Sequence, residues 1–153
     1  QMHRIVFDGH NAIKTVDSLP AGDSSAAKSA FMDSWVTFSQ PFKLLTDRVR
    51  LKTESEVVLD NGRKTYKVRV IYPEETTADS DRWWYFFDAE THLVAANLVY
   101  HNGRYSFIEN TAYDRTTPFV LNAQRESFFT DSLLNKKYLR ASYELTNLQV
   151  ALD

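Results

Sequence analysis

Apolar and polar residues alternate along most of this chain, and one stretch abandons that alternation for a helical period. Alternation sends successive side chains to opposite faces of a strand. It predicts strands over 3–8, 12–16, 55–60, 64–72, 82–88, 93–101, 104–112, 118–128 and 138–152. Three of the four glycines stand in Asp8-Gly9, Asn61-Gly62 and Asn102-Gly103, each between two such segments. These dipeptides supply the positive φ that a type I′ turn needs at both central positions, so each predicts a hairpin. Asp88-Ala89-Glu90-Thr91 reads as a turn opened by its acid. Strands joined in order by short turns form an antiparallel meander.

The exception is 24–40, rich in Ala and Ser, where Phe31, Trp35 and Phe38 recur at helical spacing. Asp23, Ser24 or Ser25 can cap its start, and Pro41 ends it or kinks it into a short second turn over 42–45. One reading is an amphipathic helix packed on the sheet. The other is a cover on the concave side of a curved sheet, gating a cavity.

Parity assigns faces. Tyr66, Val68, Val70 and Tyr72 share an inward face, with Lys67 and Arg69 outward beside Arg48, Arg50 and Lys52. Val94, Ala96, Leu98 and Tyr100 oppose Asn97 and His101; Tyr105 and Phe107 oppose Ser106 and Asn110. The last strand changes parity between Leu145 and Leu148, which predicts a bulge near Thr146-Asn147. Trp83-Trp84-Tyr85-Phe86-Phe87 points aromatic rings to both faces at once. One set can fill a core; the other needs a helix, a ligand or a second chain over it.

Composition narrows the chemistry. The length of 153 residues suits one domain with one sizeable core. Eighteen Lys plus Arg against twenty Asp plus Glu give no general attraction to nucleic acid. The absence of Cys excludes disulfides, thiolate ligands and Cys nucleophiles. No apolar run reaches the roughly 20 residues of a membrane helix. The histidines at 3, 10, 92 and 101 are scattered near turns and lie in no metal motif, and no phosphate loop or nucleophile elbow exists. Glu74-Glu75 and the Asp79/Asp81 pair read as a solvated acidic loop. The chain therefore predicts no catalytic residue, no cofactor and no metal. Its aromatics remain, as a core or as the wall of an apolar groove.

The order of the motifs carries a resemblance. Phe7-Asp8-Gly9 precedes the helix, then Pro41-Phe42-Lys43-Leu44-Leu45, then Asn61-Gly62 with Tyr66-Lys67-Val68-Arg69-Val70. Tyr85-Phe86-Phe87-Asp88-Ala89-Glu90-Thr91-His92-Leu93-Val94 follows, then Gly103-Arg104-Tyr105-Ser106-Phe107. Over most of 5–110 this resembles the periplasmic lipoprotein carriers of Gram-negative bacteria, and still more a set of uncharacterised outer-membrane lipoproteins of Bacteroidota. The resemblance implies a mainly β, antiparallel half-barrel, an open curved sheet with a helical insertion on its concave face, as a single domain over 1–153. It implies an apolar cavity for a lipid or acyl chain, covered by Phe31 and Trp35. The wall would be Tyr66, Val68, Val70, Trp83, Tyr85, Phe87, Ala96, Leu98, Tyr105 and Phe107, because the carriers' residue before the turn acid faces the cavity; Trp84 and Phe86 would point away. The implied protein is exported, periplasmic or at the outer membrane, and touches membrane only through a lipid anchor outside this chain. The alternative is the interaction domain of an outer-membrane lipoprotein whose aromatic face docks a protein partner. The carriers place further strands before the Asp-Gly hairpin. The strand over 3–8 is thus expected to be an unfinished edge, pairing with a second copy as a homodimer or continuing in a longer protein.

Overall fold

The computed structural model describes residues 3–8, 10–45, 48–78 and 80–146. The chain divides into two compact units, 1–43 and 44–153.

In the first unit, β1 (His3–Phe7), β2 (Ala12–Val16) and β3 (Leu19–Pro20) form an antiparallel sheet in that order. The Asp8 carboxylate accepts the N–H groups of His10 at 2.8 Å and Asn11 at 2.7 Å, closing the first hairpin; Gly9 lies outside the described residues. Strand β3 is not foreshadowed by any turn dipeptide, because its turn uses Asp17 and Ser18 at φ 49° and 70° with no glycine. Helix α1 (Ser24–Phe38) starts as expected: Asp23 is extended, and its carboxylate accepts the Ala26 N–H at 2.8 Å. Its neighbours within this unit are β2 and β1. Among the described side chains of the helix the buried one is Ala27, with Phe31 half-buried one turn on. Trp35, expected on the buried stripe, is 49% exposed. A small residue such as Ala27 lets a helix lie close on a sheet. The Phe38 side chain lies outside the described residues. Pro41 follows the helix, and a short 3₁₀ turn runs over Phe42–Leu45.

The second unit is one seven-stranded antiparallel sheet. Its strands are β4 (Arg50–Val58), β5 (Lys64–Ile71), β6 (Arg82–Asp88), β7 (Val94–His101), β8 (Arg104–Asp114), β9 (Leu121–Thr130) and β10 (Tyr138–Glu144). Each pairs with its neighbours in sequence, so among the described residues β4 and β10 are the two edges and the sheet is open. The fold is mainly β and antiparallel with one short helix, as the pattern predicts. Strand β1 is the edge of the small separate sheet, so it does not continue the large one. The bulge expected near Thr146-Asn147 falls partly outside the described residues; the irregularity seen in β10 lies between Leu139 and Ala141.

Two turns show how local chemistry sets register. Asn102 and Gly103, at φ 49° and 76°, join His101 directly to its partner Arg104 in the two-residue turn predicted. Asn61-Gly62 does not do this. The strands part at Val58 and Lys64, and only Gly62 of that pair has positive φ. The Gly62 N–H bonds Leu59 O at 2.8 Å and the Leu59 N–H bonds Arg63 O at 2.9 Å, which makes the longer loop and buries Leu59.

The core lies on both faces of the sheet. Phe86, Ala95, Ala96, Leu98, Phe107 and Leu59 fill one, with Trp84, Tyr105 and Leu134 against them. Val70, Tyr85 and Val94 fill the other, with Leu44, Val49, Trp83 and Phe87. Phe86 is wholly buried and meets Phe107 edge-on at 5.7 Å. Phe86→Ala is expected to cost about 3–5 kcal/mol in urea denaturation. At Gly103 an added Cβ would meet nothing within 4 Å. Gly103→Ala should therefore cost only the left-handed backbone, about 1–2 kcal/mol.

Candidate functional site

Register places residues on faces, because partners directly opposite in a ladder point the same way. One row crosses all seven strands: Thr53, Val68, Tyr85, Asn97, Ile108, Ser127 and Ala141. Beside it on the same face lie Tyr66, Phe87 and Val94 at one end, and Asn110, Arg125 and Tyr143 at the other. This face has two characters. Over β5 and β6 it is apolar: Trp83 and Tyr85 have ring centres 6.4 Å apart, and Tyr85 stacks on Phe87 at 6.2 Å. Over β7 to β9 buried polar residues join Val94 and Ile108: Asn97, Asn110, Arg125 and Ser127 are all at most 6% exposed.

That polar part is incompletely satisfied. Asn110 Nδ2 donates to Val94 O at 2.6 Å, and the Tyr113 hydroxyl donates to the same carbonyl at 2.8 Å. Asn97 Nδ2, Asn110 Oδ1, and both Nε and Nη1 of Arg125 are buried with no hydrogen-bond partner among the described residues. The Arg125 guanidinium lies 5.4 Å from the centre of the Tyr143 ring. Burial pushes the Arg125 pKa below the ordinary arginine value, partly opposed by Tyr143; a guanidinium nevertheless stays a cation. Each orphaned buried polar group costs about 1–3 kcal/mol, and more when charged.

The predicted wall divides between the faces. Tyr66, Val68, Val70, Trp83, Tyr85 and Phe87 do come together on the face just described. Ala96 and Leu98 lie opposite Phe86 and Trp84, and Phe107 and Tyr105 follow them onto the other face. The cause is a bulge: Phe86 pairs with Ala96 but Phe87 with Val94, leaving Ala95 extra. Val94 and Ala96 have the same parity and opposite directions. Phe31 and Trp35 belong to the N-terminal unit. Three residues expected to face outward are buried: Asn97, Asn110 and Arg69. Arg69 bonds the carbonyls of Val70 and Trp83 and the Glu75 carboxylate, and lies 4.7 Å over the Trp84 ring. Arg125 does not stand out in the sequence, because its neighbours Gln124 and Glu126 are polar too. The available signal was Asn97, the sole polar residue within Val94 to Val99.

The opposite face is covered by its own chain. Leu134 packs there, and Lys136 Nζ sits 4.7 Å over Phe128 while pairing with Glu109 at 2.5 Å. At the turn end of the sheet, a 510 Å³ cleft is lined by Asn61, Gly62, Arg63, Lys64, Asp88, Ala89 and Glu90. Its Arg63 pairs with Asp88 at 3.4 Å. His101 meets Asp81 at 2.6 Å on the exposed surface, and Asp79 lies outside the described residues. His92, at φ 59°, closes the turn begun by Asp88.

The Asp88 carboxylate accepts the Thr91 N–H at 2.7 Å, the Thr91 hydroxyl at 2.9 Å and the Glu90 N–H at 3.1 Å. The Thr91 N–H leads in holding its pKa below 3.8, with Arg63 adding to the effect. A lowered folded pKa contributes stability above the unfolded value, lost as pH falls through the folded one. Asp88→Asn is therefore expected to lower stability at pH 7 and to flatten the loss below pH 3.8. Urea midpoints measured across that range check this; parallel curves for the two proteins would contradict it. Comparison of the chain with family models, with curated proteins and with solved structures finds no match in any of the three.

Proposed function

We propose that this is a non-enzymatic, lipid-binding protein of the cell envelope, which holds an acyl chain against the Trp83, Tyr85 and Phe87 face of its large sheet. The observation that carries the reading is the aromatic column itself. Three rings project from one strand, in register with Tyr66, Val68 and Val70 on the next. Tyr85 and Val70 are themselves wholly buried, so the contact area on offer is that of the half-buried Trp83 and Phe87 and of Tyr66, fixed on paired strands with little conformational freedom left to lose on binding. Tyr66, at the outer end of this set, is 39% exposed and so accessible to a ligand. The motif order, which resembles that of lipoprotein carriers, is what supports the envelope reading.

A second reading, an interaction domain, has its own support in β10. Tyr138, Leu139 and Tyr143 are 58%, 50% and 47% exposed on an edge strand, the kind of surface to which another chain adds a strand. Trp84 and Phe86 do not suit such docking: Phe86 is wholly buried, and Trp84 lies under Arg69 and Lys67.

Titration with a fluorescent fatty-acid analogue tests the first reading. Saturable binding is expected, with displacement by phospholipid. Tyr66→Ala should weaken it about tenfold, equivalent to about 1.4 kcal/mol, at nearly unchanged stability because Tyr66 is partly exposed. A parent protein that shows no saturable binding overturns the reading and makes the β10 edge the surface to pursue.

A further inference from the structure

We propose that Arg125, with Asn110 directly across from it and Asn97 two strands away on the same face, is a carboxylate site that takes the head of a fatty acid whose chain lies on the aromatic part of that face. The inference rests on the lipid-binding reading above and adds the chemical class of the ligand.

Position comes first. Arg125 and Asn110 are direct partners across β8 and β9. Asn97 faces Tyr85 across β6 and β7, so one row joins the polar group to the aromatic column. An amphiphile with one apolar length and one polar end fits this two-part face; a wholly apolar ligand would leave the polar end without partners.

The polar groups themselves indicate the charge. Arg125 is 5% exposed, and Nε and Nη1 are both donors without acceptors among the described residues. Asn97 Nδ2 adds a third such donor, at 3% exposure. Buried cations are ordinarily paired. Here no carboxylate of the described residues forms an ion pair with the guanidinium; the Tyr143 ring at 5.4 Å is a weaker partner. Surplus donors around one cation suit an anion of single charge that accepts several hydrogen bonds, and a carboxylate does so. The Asn110 Oδ1 acceptor, also orphaned, would disfavour a second negative charge and so a phosphate dianion.

The test compares palmitate with hexadecanol, which share a chain and differ in the head, by displacement of a neutral fluorescent acyl probe. The parent is expected to prefer palmitate by tenfold or more. Arg125→Met should erase that preference and leave hexadecanol binding unchanged. Its stability should be equal or higher, since an apolar residue replaces an unpaired buried cation. Palmitate and hexadecanol binding equally well to the parent would overturn the head site and leave lipid binding standing. Neither ligand binding would overturn both. A preference that survives in Arg125→Met, or lysophosphatidate of the same chain competing better than palmitate, would also overturn the carboxylate assignment. The parent comparison alone decides the matter if the variant does not fold.

Discussion

Five aromatic residues in a row on β6 impose the constraint on which the large sheet depends. A strand shows its residues to both sides, so neither face of β6 can be left to water without a large apolar patch. The chain meets this with cores on both faces. Leu44 and Val49 pack with Val70 and Tyr85 on one; Leu134 and Leu59 pack with Phe86 and Phe107 on the other. The flanking strand β7 is buried over nearly its whole length for the same reason, and β5 and β8 carry apolar residues on both faces beside it.

The bulge at Ala95 reconciles these two cores. Without it, Val94, Ala96 and Leu98 would all face one way. With it, Val94 joins Tyr85 while Ala96 and Leu98 join Phe86. The same shift puts Asn97 on the Tyr85 face and determines which side of β8 and β9 follows. One extra residue thereby decides that Asn110 and Arg125 line up beyond the aromatic column rather than beneath Lys136.

The two faces differ in how their polar groups are treated. On the Phe86 side, cations are matched: Lys136 has Glu109, and Arg69 has Glu75 together with two carbonyls. On the Tyr85 side, Arg125 and Asn97 keep donors without acceptors among the described residues. Folding leaves the second face costlier than a packed core would be, and an uncompensated cost at a buried cation is what a ligand of opposite charge can relieve.

The amino-acid sequence alone determined the class of fold, the meander of strands, the helix after Asp23, the Asn102-Gly103 hairpin and the Asp88 turn. Each rests on interactions between residues close in the chain: a period, a cap, a positive φ, a side chain bonding its own backbone. It also separated Trp83, Tyr85 and Phe87 from Trp84 and Phe86, since parity holds within a strand. Tertiary structure decided what parity cannot carry across a turn. The Ala95 bulge reversed the faces of Ala96 and Leu98, and the longer Leu59 to Arg63 loop placed β4. The division at residue 43 gave Phe31 and Trp35 to a unit with its own sheet. Burial of Arg69, Asn97, Asn110 and Arg125 was equally out of reach, because a polar residue reads as solvated until its cross-strand neighbours are known.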